Sequence, residues 1–291
     1  MAASPVAKIV VPLMGSSRDA TALATAFAAA QPFGAHVEAV HVRPTPDSVV
    51  PFFPEGISAE TLEDIIETAI EASDMASKNA KQAWKDSLSP AGALETEGPQ
   101  KLKNVTSSYR ELSGEFAPKL CEAAKLADLV VLPALMPEER PELTAALNAV
   151  LSRAGRPVLI SAHVPPKSLF RKIAIGWDGS FTAARALNAA MPYLGQTEDV
   201  DVIGVNGTGV TKDMTEELKS YLTVHQLPSS FRSIEAGGRE IGEALLAAAS
   251  GGMADMLVMG AYGHSRLRES LFGGVTAHVV SHPRLPVFLA H

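Results

Sequence analysis

A single cysteine, Cys121, stands among 291 residues, so no disulfide can form within the chain and the composition suits a reducing compartment. It lies in "KLCEAAKLA" with neither a base nor a second metal ligand at a meaningful spacing, and is expected to be a small buried helix residue. Long apolar runs are missing as well: no segment approaches the roughly 20 residues of a membrane span. The opening "MAASPVAKIVVPLMG" holds an apolar stretch fit for a strand, without the longer apolar core and small-residue cleavage site of a signal peptide. Basic residues are outnumbered, 25 to 32, for a formal charge of -7, which leaves no broad electrostatic footprint for nucleic acid or anionic lipid. A cytoplasmic chain with neither nucleic acid nor membrane as partner is the expectation.

What the chain does have is repetition. "AKIVVPLMGS" (Ala7 to Ser16) parallels "RKIAIGWDGS" (Arg171 to Ser180): a basic residue, an apolar strand, then Gly-Ser opening an alanine-rich helix. "AHVEAVHV" parallels "VDVIGVNG", and "GEFAPKLCEAAKLADLVVLPAL" parallels "GGREIGEALLAAASGGMADMLVMGAY", a helix followed by an apolar strand. "RPVLISAH" and "LPVFLAH" close the two copies, both on Ala-His. Each copy reads as alternating strands and helices, which implies parallel pairing because parallel strands need long crossovers. Two prolines in "HVPPKSLF" interrupt the pattern, so the domains are expected at residues 1–164 and 168–291.

The first copy is longer because residues 44–104 read as an insertion. Ser58 to Leu88 forms one long helix there, with Ser58 as N-cap and Leu62, Ile65, Ile66, Ala69, Ile70 and Ala76 near one face. The loop "RPTPDSVVPFFPEG" before it either packs Phe52 and Phe53 on its own domain or serves as a lid or partner surface. "SPAGALETEGPQKLKN" reads as a mobile polar excursion.

The second copy carries "MGAYGHSRLRESLFGGVTAHVV" after its fourth strand, at the edge of a parallel sheet where ligands bind. Gly260, two residues, Gly263, nine residues, then Gly273 and Gly274: this spacing resembles the nucleotide-binding motif of the universal stress protein family, G-x2-G-x9-G-[ST]. The likeness covers nearly the whole chain as two tandem copies. It implies two doubly wound, Rossmann-like α/β domains related to the adenine nucleotide alpha-hydrolases, with ATP or AMP, and Mg2+ as an accompanying ion, held by domain two. Gly260 and Gly263 would allow close approach of ribose and phosphate. Gly273, Gly274, Val275 and Thr276 would offer backbone N–H groups to the phosphates at the last helix. Gly274 occupies the place of the family's Ser or Thr, and Thr276 supplies the nearest hydroxyl.

By the same resemblance Asp178, flanked by Gly176 and Trp177, accepts a hydrogen bond from the adenine amino group or from a neighbouring backbone amide; the alternative is an N-cap of the following helix. Trp177 would stack on a base or crowd it, Val205 contacts adenine, and Met259 closes the other side. Arg266 and, less directly, Arg268 add charge near the phosphates or are plain exposed helix charges, and His264 lies in the loop beside them. His278 and His282 share a helix face, but no third ligand accompanies them and no metal site is assigned. Domain one has Met14 in place of Asp178, and prolines where the cradle glycines belong, so it reads as a degenerate copy without the nucleotide site.

The expected function is therefore a nucleotide-binding regulator of the stress response, with an unidentified protein partner and a homodimeric assembly. The terminal strands of the two copies are expected to pair within the chain. Two other classes compete: a slow ATPase or alpha-hydrolase-like enzyme, and a nucleotide-free interaction scaffold. Against catalysis stand the missing GxxxxGK[ST] and SGGxDS loops and the lack of a His-Asp or paired-carboxylate constellation; no GxGxxG follows either first strand. At most slow ATP hydrolysis is expected.

Overall fold

The computed structural model describes residues 5–45, 59–100, 102–135, 141–166, 170–262 and 274–291. The first copy runs β1 (Lys8–Leu13), α1 (Asp19–Ala30), β2 (His36–Arg43), α2 (Ala59–Ala91), β3 (Leu94–Glu95), β4 (Thr106–Ser113), α3 (Phe116–Ala124), β5 (Leu129–Leu132), α4 (Pro141–Ala149) and β6 (Val158–Ile160). The second runs β7 (Lys172–Gly176), α5 (Phe181–Leu194), β8 (Asp199–Val205), α6 (Lys212–Val224), β9 (Ser229–Ile234), α7 (Ile241–Gly251), β10 (Met256–Gly260), α8 (Gly274–Ser281) and β11 (Val287–Ala290).

The described strands form one sheet in the order β3-β4-β2-β1-β5-β6-β11-β10-β7-β8-β9. In each half the first strand is central, so the chain winds outward in both directions from it. Both faces are covered, which is why the central strands, after an opening lysine in β1 and in β7, run apolar rather than alternating. Ile9, Val11, Ile173 and Ile175 face the layer of α1, α2, α5 and α6, whereas Val10, Ala174, Leu257 and Met259 face α3, α4, α7 and α8. Among the described residues no helix is long and apolar enough to cross a membrane.

The halves join where the repeat ends. β6 and β11 pair antiparallel, Val158 opposite Leu289 and Ile160 opposite Val287, while the other ladders are parallel. Two apolar edges thus cover one another within a single chain, as expected from their sequences. The repeat extends to polar detail. Asp128 Oδ2 accepts the backbone N–H groups of Ala7 and Lys8 at 2.7 and 2.9 Å, and Asp255 Oδ2 accepts those of Arg171 and Lys172 at 3.0 and 3.2 Å.

Two expectations about the first copy are corrected. The helix from 59 to 91 is no insertion: it is the β2-to-β4 crossover, in the place α6 fills between β8 and β9, lengthened beyond the sheet. Ser58 and the Phe52–Phe53 loop lie outside the described residues. The polar stretch after α2 contributes β3, which pairs parallel with β4 through Leu94 and Thr106, and Thr96 N–H donates to Ser107 O at 2.8 Å. Backbone pairing at a sheet edge needs no apolar side chains, so composition hides it.

Candidate functional site

In the second copy β7 has β8 on one side and β10 on the other, so the carboxyl ends of β7 and β10 flank the crevice where the winding reverses. Gly176 lies opposite Met259 in register, and Trp177 N–H donates to Ile203 O at 3.0 Å, holding the end of β7 to β8. Beyond it, Asp178 Oδ1 accepts Ser180 N–H at 2.9 Å, and Ser180 Oγ accepts Ala183 N–H at 3.1 Å. Ser180 is thus the N-cap of α5. The capping role considered for Asp178 belongs to the serine two residues on, and Asp178 shapes the turn that presents it. Gly179, at φ +74°, completes that turn, with Met214 Sδ of α6 only 2.6 Å from where a Cβ would stand.

The glycines of this site serve different purposes. A Cβ on Gly260 would lie 2.5 Å from Ala183 N and 2.6 Å from Thr182 C. That position lets the first turn of α5 close against β10, so the lack of a side chain at Gly260 is required by the packing of the chain on itself. A Cβ on Gly176 would lie 2.8 Å from Leu245 Cδ2, again a packing requirement. Gly274 differs: among the described residues no neighbour lies within 4 Å of its Cβ position, and it is exposed in α8. Val275 follows half-buried, and Thr276 is buried.

Trp177 does not stand free to stack on a base. It is half-buried against the core layer that contains Leu187, Leu218 and Leu222, because strand alternation turns it toward α5 and α6. Its Nε1 is buried and has no partner among the described residues. Val205 and Met259 are each 6% exposed, Met259 within the core under α7 and α8. Gly263, His264, Arg266, Arg268 and Gly273 lie outside the described residues.

The equivalent place in the first copy is closed by that copy's own atoms. Gly15, at φ +69°, faces α2 so closely that a Cβ would lie 2.3 Å from Ala76 O. Asp19, 1% exposed, accepts the N–H groups of Met14, Gly15 and Ser16 at 3.1, 2.8 and 3.3 Å. Burial raises its pKa against the opposing pull of those bonds. A carboxylate from the chain therefore saturates the loop donors, and the residue in register with it in the second copy is Ala183. The long helix is legible in the sequence, though not its place against Gly15; Asp19 is not singled out there, although Asp19 three residues after Ser16 is a readable turn-and-cap pattern.

Contacts between copies reach the mouth of the second. Tyr262, at φ +61°, donates its hydroxyl hydrogen bond to Asn148 Oδ1 of α4 and meets the His291 ring edge-on at 5.7 Å. Leu135 N–H donates to Val280 O of α8 at 3.0 Å. Among the two helix histidines, His278 Nδ1 lies 3.3 Å from Glu240 and the ring stacks on His282 at 5.0 Å.

Two doubly wound copies on one chain, one mouth blocked and the other flanked by Asp178 and Gly274, frame the comparison with known proteins. The model of the universal stress protein family matches residues 5–161 and again residues 169–291. The chain belongs to the universal stress protein family. A universal stress protein of Synechocystis sp. is 24% identical over 253 residues, covering 80% of this chain and 79% of that relative. The crystal structure of a universal stress protein from Archaeoglobus fulgidus matches 97% of this chain and 95% of its own, with a TM-score of 0.65 at 16% identity. A putative universal stress protein from Pseudomonas aeruginosa matches 98% and 93%, with a TM-score of 0.54 at 13% identity. In this tandem universal stress protein the fold is thus common to both copies, which differ in the length of α2 against α6, in the extra strand β3 and in Asp19 against Ala183.

Proposed function

We propose that this universal stress protein is a cytoplasmic regulator that binds one adenine nucleotide, ATP or AMP, with Mg2+ as an accompanying ion, in its second domain (168–291). Its first domain (1–164) is a degenerate partner, and the bound state governs homodimer assembly or the choice of a regulatory protein partner. The observation that carries this reading is the asymmetry of the two mouths. In the first, Asp19 takes three loop N–H groups. In the second, Ala183 stands in place of that carboxylate, and no described residue lies within 4 Å of the Cβ position of Gly274.

The residues present fit such a ligand. By the motif, backbone N–H groups of Gly274, Val275 and Thr276 are assigned to an anionic phosphate, as suits a helix N-terminus. Asp178, placed just past the end of β7 where its Oδ1 accepts Ser180 N–H, brings a carboxylate of the kind that accepts an amino group of the base. Gly263, His264, Arg266 and Gly273 are assigned to the phosphates on the strength of the sequence motif. The nucleotide supplies charge and a hydrogen-bonding base; the chain supplies donors, a carboxylate and closure against water.

The test uses the full chain. Mass spectrometry of the purified protein is expected to find an adenine nucleotide, and calorimetry on nucleotide-free protein one site per chain, lost in Gly273→Val. No heat with any adenine nucleotide, or two equivalent sites per chain, overturns the proposal.

A further inference from the structure

The helix α2 carries its charge in two blocks. From Ala59 to Asp74 it has six acidic residues and no basic one, and from Met75 to Ala91 three lysines against one aspartate. Glu63, Glu67, Glu71, Asp74, Lys78, Lys81 and Lys85 recur at three- and four-residue intervals and therefore share one side of the helix. That side is not the one packed on the sheet, which is marked by buried Ala80 and Trp84. Glu63, Glu67, Glu71, Lys78, Lys81 and Lys85 are all exposed, and Ile70 and Met75, 50% and 64% exposed, flank the stripe. Beside it runs a groove lined by Glu63, Ile66, Glu67, Ile70 and Glu71.

We infer that this side of α2 is the surface on which a second copy of the chain docks, antiparallel, about a twofold axis near Asp74. The inference rests on the homodimer in the proposed function and names its contact. An antiparallel partner sets Glu63 against Lys85, Glu67 against Lys81 and Glu71 against Lys78, each pair occurring twice. Asp74, which would meet its own copy at the axis, already carries an ion pair with Arg43. Lys81, although exposed, stands at the border of this side with the sheet, its Nζ 5.9 Å from the Tyr109 ring of β4. The overlap from 63 to 85 spans about 33 Å of helix, and the lysine stems cover Ile70 and Met75 as the charges pair. A parallel partner would place acid on acid, so the charge segregation also fixes the orientation.

Light scattering and sedimentation on the full chain test this. The wild type is expected to be a dimer at low salt that dissociates toward about 1 M salt, where screening acts within about 3 Å. Glu63→Lys with Glu67→Lys, and separately Lys81→Glu with Lys85→Glu, are each expected to give monomers of unchanged circular dichroism. Mixing these two variants is expected to restore a one-to-one dimer. A wild type that stays monomeric at every concentration removes the homodimer and this surface with it. A wild type that dimerises while both variants still dimerise removes the surface alone.

Discussion

The hydroxyl of Tyr262 donates a hydrogen bond to the side-chain oxygen of Asn148, tying the residue two beyond the end of β10 in one copy to α4 of the other. Burial pushes the Tyr262 phenol well above its ordinary pKa, so it stays a neutral donor across physiological pH. The loop that enters the glycine motif is thereby anchored to the first copy. Tyr262→Phe keeps the ring against His291 and removes only the bond. It is expected to lower stability by about 1 kcal/mol, and a double-mutant cycle with Asn148→Ala should show coupling. Additive losses in denaturant titrations would show that the bond does not join the copies energetically.

Gly260 and Gly274 belong to one motif yet should answer mutation oppositely. Gly260→Ala drives a methyl to within 2.5 Å of the α5 backbone, and overpacking of this kind costs about 1–3 kcal/mol. Gly274→Val meets open space, so its melting temperature should stay near wild type while nucleotide affinity drops. Thermal scans with and without ATP separate the two effects.

The arginines at equivalent strand positions form a matched pair with unequal support. Arg232 grips Asp201, 3% exposed, through Nε and Nη2 at 2.8 to 3.1 Å. Arg110 grips Glu38, 5% exposed, which Lys8 also reaches at 2.8 Å. Arg232→Ala leaves a buried carboxylate without its cation, costing about 2–3 kcal/mol after allowing for the partial exposure of the arginine. Arg110→Ala is expected to cost about 1 kcal/mol less because Lys8 remains. Equal losses in urea unfolding would contradict this ranking.

His36 gives the fold an acid limit. Its Nδ1 and Nε2 lie 2.8 and 2.9 Å from the hydroxyls of Thr106 and Ser108, and burial lowers its pKa to about 4, with Glu38 opposing and Lys8 adding to the shift. The unfolded chain takes up the proton near 6.5 and the folded chain near 4, so stability is complete above the first value and falls as pH drops toward the second. His36→Gln keeps hydrogen bonding without titrating. Its loss of denaturation midpoint between pH 7 and pH 4.5 should be clearly smaller than that of the wild type.

The repeat, the parallel sheet and the β6–β11 junction were legible because apolar strands and alanine-rich helices recur in order along both copies. The site was legible only as chemistry. Glycine spacing points to close backbone approach but does not say what approaches: at Gly260 it is Ala183, a residue of another element. The direction of Trp177 is not legible in composition, because it depends on strand phase continuing past the end of β7. Asp19 went unread because it acts on the backbone of its own loop, where side-chain type reveals little about which donors it takes.

The antiparallel junction of β6 and β11 has one more result. Since strand direction reverses there, the carboxyl ends of the two half-sheets point to opposite ends of the molecule. Two identical subunits joined this way must carry the same residue at both ends, so a change that ruins one mouth ruins the other. Covalent fusion lifts that symmetry. Met14 and Asp178, or Asp19 and Ala183, can then differ without conflict, and each half is free to change at its own strand ends without changing its twin.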